Sequence, residues 1–227
     1  MRIIAHRGRH DAHRENSLGA LHDAFSTGAD AAELDVRLSR DGVPVLAHDG
    51  LQWHGPIPHV VAWSSARGLS FLARLEQVLA EPLPPGRDLP IVLDVKRAGQ
   101  FAAVAAFCLE HTAAPGAIAL WCRDRAQVSA LARRAEFGEL ALLPRGYGAN
   151  DTLQYLDDAA ACGSSAVSLH PEVIGSYLVE AAHQRGMRAY AWIRSPADHA
   201  PAVQMGIDGL VTDWVDDARL AVGLPPS

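Results

Sequence analysis

Hydrophobic and polar positions follow two alternating patterns along this chain. Short apolar runs bounded by Gly, Pro or charged residues are typical of buried strands, and the stretches between them have the apolar spacing of helices. The predicted strands are residues 2–6, 31–38, 90–96, 117–121, 140–143, 166–169, 188–193 and 209–212. The predicted helices are residues 17–27, 71–80, 99–111, 124–135, 151–161, 172–185, 196–204 and 214–222.

The order of these elements predicts the fold class. A strand followed by a helix, repeated about eight times, is typical of a parallel sheet. Eight such units in 227 residues favour a single-domain (β/α)8 TIM barrel over residues 1–227. The alternative is an open, doubly wound sheet, but no Gly-x-Gly-x-x-Gly pattern follows the first strand. Residues 49–70 have no clear periodicity and are predicted to form a long loop over the top of the barrel.

A hairpin is predicted directly after the second strand. Asp41 and Gly42 separate two extended runs, and Asp-Gly is a strong signal for a two-residue turn. If these are the two turn residues, Arg40 opposes Val43. The same register places His48 opposite Asp35, so that both side chains lie on one face of the hairpin.

Composition and charge narrow the class of protein. The net charge of -6 argues against non-specific binding of nucleic acid, which needs a basic surface. The number of cysteines is odd, three, and they lack C-x-x-C spacing, which disfavours a disulfide framework or a zinc site and indicates a reducing compartment. No apolar run is long enough to cross a bilayer, and the N-terminus lacks a signal-peptide pattern. We therefore expect a soluble cytoplasmic protein without stable membrane insertion.

Carboxylates lie on the inner face of two predicted strands. Glu33, Asp35 and Arg37 share one face of the second strand, because side chains alternate along a strand. Buried carboxylates are costly unless a cation joins them, and Arg37 is one candidate partner. Asp94 adds a third carboxylate at the carboxyl end of the third strand. Three hard oxygen ligands without cysteine suit Mg²⁺ or Ca²⁺ as the cation.

Histidine and basic side chains are predicted at the same end of the barrel. Catalytic groups of such barrels lie at the carboxyl ends of the strands, and His6 and Arg7 end the first strand. His48 supplies a second acid or base that works near neutral pH. Lys96 is either a salt-bridge partner of the carboxylates or a cation for a substrate phosphate. A hard cation with Arg and Lys suits an anionic substrate, which predicts metal-assisted cleavage of a phosphoester.

The segments that carry these residues resemble one known family. AHRG, ENS and GADAAELDVRLSRDGVPVLAHD are similar to the N-terminal signature of the glycerophosphodiester phosphodiesterases. IVLDVK, AYAWI and GIDGLVTD resemble later strands of the same family, so the resemblance covers essentially the whole chain. It is strongest over residues 3–49.

The resemblance implies a TIM-barrel phosphodiesterase that uses a divalent metal to release glycerol 3-phosphate and an alcohol from a small phosphodiester. The family's catalytic histidine pair matches His6 and His48. Its metal ligands match Glu33, Asp35 and Asp94. The remaining matched positions are Arg7 and Lys96 at the substrate phosphate, Trp192 in the substrate pocket, and Glu15 and Asn16 in support of the first loop and the metal site.

Some positions depart from the family pattern. The family usually inserts a small subdomain after the second histidine, and residues 49–70 form only a reduced insertion. Arg14 stands where Pro is frequent, and Trp121 and Cys122 end the fourth strand. The sequence leaves open the head-group alcohol, the nucleophile, which histidine is the acid, the physiological metal and the oligomeric state.

Two other functions remain as alternatives. A phospholipase D-like enzyme acting on lysophospholipids would need access to a membrane, and a patch of exposed apolar residues around Trp53, Val60, Val61 and Trp63 would favour it. A non-catalytic phosphate-binding relic is the other. Asp213 is expected to cap the last helix. His170 ends the sixth strand, and the sequence leaves open whether its side chain faces the mouth of the barrel.

Overall fold

The chain folds into parallel strands with a helix after most of them. The computed structural model describes residues 1–11, 13–82, 84–144, 151–170 and 172–225. Within these ranges the helices are α1 (Leu18–Ser26), α2 (Leu75–Ala80), α3 (Phe101–His111), α4 (Arg125–Ala132), α5 (Thr152–Ala161), α6 (Ser176–Gln184), α7 (His199–Gln204) and α8 (Val215–Ala221). The strands are β1 (Arg2–Ala5), β2 (Ala31–Leu38), β3 (Pro44–Leu46), β4 (Leu51–His54), β5 (Ile57–Val60), β6 (Ile91–Val95), β7 (Ile118–Cys122), β8 (Glu139–Leu142), β9 (Ala166–Leu169), β10 (Arg188–Trp192) and β11 (Gly209–Thr212).

The parallel strands close into a barrel. β1 pairs with β11 on one side and with β2 on the other. From β2 the parallel pairing continues through β6, β7, β8, β9 and β10 to β11. Within the described ranges this is a closed barrel of eight parallel strands, which confirms the predicted (β/α)8 fold. In the part of the chain that the structure describes, no helix has both the length and the apolar composition that a membrane span needs.

Alternation along each strand divides the barrel into two cores. Outward side chains such as Leu34 and Leu93 pack against the helices in the larger core. Inward side chains form a separate cluster around the barrel axis: Ile4, Ala31, Val92, Ala119, Trp121, Ala141, Leu143, Ala166, Tyr190 and Val211. Several of these are alanines, because an eight-stranded barrel leaves an interior only just wide enough for side chains.

A buried polar network fills the barrel at the amino-terminal ends of its strands. Glu139 is buried, and it accepts hydrogen bonds from Trp121 Nε1 (3.0 Å) and the Tyr190 hydroxyl (2.7 Å). Arg188 lies 3.3 Å from the same carboxylate, and Arg2 donates to the Tyr190 hydroxyl (2.8 Å). Burial, followed by the charge of Glu139, raises the pKa of Tyr190 to about 12. These partners offset the cost of burying a carboxylate below the site.

The hairpin after β2 exists, but the predicted register is wrong by one residue. β3 pairs with β2 so that Arg37 lies opposite Val45, and Ser39 closes the turn by donating its amide to the Val43 carbonyl (3.0 Å). The turn therefore has three residues, with Gly42 at φ +79. Ala47, whose amide donates to the Asp35 carbonyl (3.0 Å), takes the position predicted for His48.

Residues 49–70 do not form the predicted structureless loop. They contain the antiparallel pair β4 and β5, in which Leu51 lies opposite Val60. A small core of Val45, Ala47, Val61, Leu69 and Leu72 fixes this segment against the β2–β3 hairpin. Because Leu72 packs there, the apolar residues at 71–72 are not the first turn of α2, which begins at Leu75 rather than at residue 71.

Candidate active site

A cavity opens at the carboxyl ends of the barrel strands. Its volume is about 250 Å³. One side of the lining is charged or imidazole-bearing: His6, Arg7, Glu33, His48, Asp94, Lys96 and Arg123. The other side, from β8 to β11 and the residues after them, is mostly apolar: Leu143, Pro144, Ser168, Leu169, His170, Trp192 and Val211, with Trp121 from β7.

The loop after β1 is held in an unusual backbone conformation. Arg7 and Asn16 both have positive φ, +57 and +55. Gly8 follows at φ +76, where a Cβ atom would lie 2.7 Å from the Ala20 backbone, so glycine is required for the loop to pass over α1. In this conformation the Arg7 amide donates to Glu33 Oε2 (3.0 Å). The left-handed residues thus turn a backbone donor towards a carboxylate of β2.

Asn16 and Glu15 anchor the same loop to the site. The Asn16 side chain donates to Asp35 Oδ2 and accepts from the Asp35 amide, both at 2.8 Å. Glu15 accepts from the Arg7 guanidinium (2.8 Å). The expected support of the first loop by Glu15 and Asn16 therefore has a physical basis, although the effect of either residue on a metal stays a prediction.

Glu33, Asp35 and Asp94 meet inside the barrel mouth. All three are buried, and each offers an oxygen that lies within 4.8 Å of the oxygens of the other two. Burial, reinforced by the charge of Asp35, raises the pKa of Glu33 well above its usual range. Burial also favours a higher pKa for Asp35. The charges of Lys96 and Arg7 and the hydrogen bonds from Lys96 and Asn16 outweigh this effect, so the pKa of Asp35 is lowered. The negative charge of Glu33 is therefore not fully compensated by the neighbouring basic side chains.

Basic side chains surround the other two carboxylates. The Lys96 ammonium contacts both Asp35 and Asp94. In this structure Lys96 is therefore a salt-bridge partner of the carboxylates, which was one of its two predicted roles. Its pKa is raised, because Asp94, Glu33 and Asp35 outweigh the effect of burial. Arg7 Nε lies 3.2 Å from Asp35 Oδ2. Arg37 does not join them: its guanidinium donates to the His48 carbonyl (2.9 and 2.6 Å) and so fixes the chain that carries His48.

These carboxylates fit a hard divalent cation. Three oxygen donors from separate side chains converge, and no cysteine or histidine of the described residues joins their cluster. The position also attracts positive charge in this structure, since the Lys96 ammonium lies between Asp35 and Asp94. A metal held by Glu33, Asp35 and Asp94 would displace that ammonium towards the cavity, where Lys96 is already part of the lining.

His6 and His48 are each oriented by a carboxylate. His6 Nδ1 lies 2.8 Å from Asp213 Oδ1, which leaves Nε2 as the nitrogen available to a substrate. His48 Nδ1 lies 2.9 Å from Asp49 Oδ1, and its side chain is 37% exposed. His10 also reaches Asp213 Oδ1, at 3.3 Å. The two predicted histidines are thus brought to one cavity from β1 and from the end of the hairpin.

Aromatic side chains form the wall opposite the acidic cluster. The ring of Trp192 lies 5.7 Å from that of His6 and 6.2 Å from that of His170. His170 therefore faces the mouth. Trp121 closes the floor, and its indole is held by the hydrogen bond to Glu139.

Two residues of the site were missed from the sequence. Arg123 forms a two-point ion pair with Asp94 (2.8 and 3.1 Å), and alternation from Ala119 and Trp121 would have placed it on the inner face. Asp213 was expected to cap α8 but contacts His6 and His10 instead. The capping prediction is wrong because α8 begins one residue later, with Trp214 as its N-cap, and the Trp214 amide donates to Thr212 Oγ1 (3.0 Å).

Comparisons with known proteins agree with the signature at the amino-terminal end. Residues 6–78 match the model of the glycerophosphoryl diester phosphodiesterase family. Glycerophosphodiester phosphodiesterase 1 of Rattus norvegicus is 55% identical over 47 residues. That match spans 20% of this chain but only 14% of the rat protein.

Solved structures match over nearly the whole barrel. A glycerophosphodiester phosphodiesterase from Parabacteroides distasonis has a TM-score of 0.80 at 19% identity, with 96% of this chain and 95% of that chain covered. An Oleispira antarctica phosphodiesterase in complex with the product sn-glycerol-3-phosphate has a TM-score of 0.81 at 18% identity, with 98% and 96% covered. At these identities the likeness shows the fold. The family resemblance rests on the signature over residues 6–78, which matches the model of the glycerophosphoryl diester phosphodiesterases.

Proposed function

We propose that this chain hydrolyses glycerophosphodiesters to glycerol 3-phosphate and an alcohol. The observation that carries the proposal is the convergence of two carboxylate-oriented histidines, a three-carboxylate cluster and basic side chains on one cavity. Acid–base groups beside a site for an anion and a hard cation suit cleavage of a phosphodiester. The product complex of the Oleispira relative supports the same substrate class for this chain.

The contacts support the following proposed roles. Glu33, Asp35 and Asp94 would hold Mg²⁺ or Ca²⁺, which when bound would supply positive charge that polarises the phosphate. Arg7 and Lys96 bind phosphate oxygens. Lys96 can do so once its ammonium leaves the carboxylates that it contacts here. Trp192 lines the pocket beside His6, where it excludes water from the substrate.

His6 and His48 move the protons of the reaction. One imidazole takes the proton of the nucleophile, and the other donates a proton to the leaving alcohol oxygen. Asp213 holds His6 at Nδ1, so His6 exchanges protons at Nε2. The nucleophile is either water or the glycerol hydroxyl of the substrate, and only the second route passes through a cyclic phosphate.

Product analysis tests this proposal. Release of glycerol 3-phosphate would be measured from glycerophosphocholine, glycerophosphoethanolamine, glycerophosphoglycerol and glycerophosphoinositol, each with Mg²⁺, Ca²⁺ or EDTA. We expect turnover that EDTA abolishes. His6→Ala and His48→Ala should each lose most of it, on the order of 10²-fold or more. Exposed His111→Ala serves as the control, and near-normal rates in either site variant would refute the assignment.

A second candidate is phospholipase D-like cleavage of lysophospholipids. It is favoured by the large apolar side chains that the β4–β5 hairpin and its neighbourhood expose. Leu51, Trp53, Ile57 and Trp63 are 46%, 59%, 57% and 76% exposed, whereas Val61 is buried. A group of exposed apolar side chains of this kind would fit a lipid surface.

Lysophosphatidylcholine in the same assay, together with co-sedimentation on liposomes, separates the two candidates. Turnover of the lysolipid, lost in Trp53→Ser with Trp63→Ser, would favour the second. Turnover of soluble diesters that survives this double change would favour the first. Silence on all phosphodiesters would leave the non-catalytic relic. A cytoplasmic location and a single domain over residues 1–227 also stay predictions. The three cysteines are free and buried.

A further inference from the structure

A second cavity adjoins the active-site cavity on the side of β6 and β7. Its volume is about 690 Å³, and it shares Lys96 and Arg123 with the active-site cavity. The rest of its lining is Arg97, Ala98, Gly99 and Gln100. We call this space the lateral cavity. Among the described residues its wall contains three cationic side chains and no carboxylate, on a chain whose net charge is -6.

Arg97 is the member of this wall without a counter-charge. Lys96 and Arg123 both contact Asp94, but the exposed Arg97 side chain makes no hydrogen bond or ion pair within the part of the chain that the structure describes. Gln100 uses its Oε1 to accept from the Leu38 amide (3.1 Å), and its NH2 group has no hydrogen-bond partner among the described residues. A guanidinium and an amide donor that both lack an acceptor there suit an anion such as phosphate.

The size of the active-site cavity indicates where a substrate extends. At about 250 Å³ it lies at or below the small end of ligand pockets, so it holds a phosphate with one small polyol. The other half of a diester must extend past the mouth. Lys96 and Arg123 line both cavities. The lateral cavity therefore lies next to the active-site cavity, and its lining is cationic.

We propose that the lateral cavity binds a second phosphate group, carried by the alcohol half of the diester. This inference rests on the proposed function and names its substrate class: diesters whose alcohol is itself phosphorylated. Choline or ethanolamine would bring a positive charge towards Arg97, Lys96 and Arg123, and like charges in contact disfavour binding.

A matched pair of substrates tests the inference. Glycerophosphoinositol and glycerophosphoinositol 4-phosphate differ by one phosphate group. The unchanged chain should have a lower KM for the phosphorylated diester, on the order of tenfold, with a difference that shrinks at high salt. Arg97→Ala should raise that KM by a similar factor, leave kcat unchanged and leave glycerophosphoinositol unaffected.

Arg67→Ala is the control, because it removes the same charge from another exposed position. Equal KM values for the two diesters, or an equal response to both arginine changes, would overturn the inference while the hydrolase function stands. Turnover of neither diester would instead count against the proposed function. Calorimetric binding of inositol 1,4-bisphosphate and inositol 1-phosphate in the presence of Mg²⁺ then decides: tighter bisphosphate binding lost in Arg97→Ala supports the lateral site, and equal affinities overturn it.

Discussion

Asp213 shows how one side chain orients another in this site. Its Oδ1 lies 2.8 Å from His6 Nδ1 and 3.3 Å from His10 Nε2. These hydrogen bonds lower the pKa of Asp213, although burial acts in the opposite direction. The carboxylate is therefore charged near neutral pH and fixes the imidazole of His6 through Nδ1, which leaves Nε2 for the proposed substrate. We expect Asp213 to be a positioning residue that acts through His6.

Replacing Asp213 should reduce the rate without weakening substrate binding. Asp213→Asn keeps the shape but removes the charge that orients His6. We expect kcat to fall by about 10- to 100-fold with little change in KM, as is typical for partners that orient a functional imidazole. Steady-state kinetics measures both. His10→Ala is the control, because His6 keeps Asp213 in that variant, and equal losses in the two variants would contradict the positioning role.

The charge of Asp94 is matched by two basic side chains. Arg123 and Lys96 both contact it. Asp94→Asn removes one proposed metal ligand and releases both cations, so we expect the concentration of Ca²⁺ or Mg²⁺ needed for half-saturation to rise by tenfold or more. Calorimetric metal titration measures this directly. Asp88→Asn, an exposed carboxylate at the other end of the barrel, should leave the titration unchanged; an unaltered titration in Asp94→Asn would remove this residue from the ligand set.

At the scale of elements, the loop between β1 and α1 depends on Asn16. This residue combines a left-handed backbone with two hydrogen bonds to Asp35. Asn16→Ala should lower the free energy of unfolding by about 2–4 kcal/mol, since it loses buried hydrogen bonds and strains the backbone. Asn16→Gly loses the hydrogen bonds but not the backbone fit, and should be more stable than Asn16→Ala by about 1 kcal/mol. Urea unfolding measures both, and equal stabilities would show that the left-handed backbone costs nothing.

The β2–β3 hairpin shows the limit of reading one element from local sequence. Asp41 and Gly42 do lie in the turn, as predicted. The turn has three residues because Ser39 pairs with Val43 through its backbone and side chain, and its hydroxyl also donates to Asp41 (2.6 Å). Loop length decides register, and a change of one residue reverses the face of every later side chain. His48 still lines the cavity, because the chain leaves the ladder after Leu46 and Arg37 holds the His48 carbonyl.

At the scale of the whole molecule, the core that encloses the barrel keeps titratable groups neutral. Cys108 lies in the main core on α3, and burial raises the pKa of its thiol from 9.0 to about 12. The folded chain therefore retains a proton that the unfolded chain loses. Stability from this group is complete below about pH 9 and is lost as pH rises towards 12.

The free energy of unfolding should accordingly fall above pH 9, by about 1.4 kcal/mol per pH unit from Cys108 alone. Cys108→Ala should be less stable at pH 8, since it leaves a cavity, but its stability should decline less steeply with pH. Urea unfolding at pH 8, 9.5 and 10.5 under reducing conditions checks this. Equal slopes for the two proteins would mean that the thiol ionises without unfolding.

The order of strands and helices, the barrel and most of the site were predictable from sequence, because alternation and strand ends are local properties. Glu33, Asp35, Asp94 and Lys96 share inward faces whatever the remainder of the chain does, and His6 directly follows the first strand. Pairings between distant strands were not predictable. Asp213 meets His6 only because β11 closes onto β1, and Arg123 meets Asp94 only because β7 lies beside β6. Which carboxylate each cation contacts, and where His48 lies, were decided by the tertiary structure, since these depend on turn length and barrel closure.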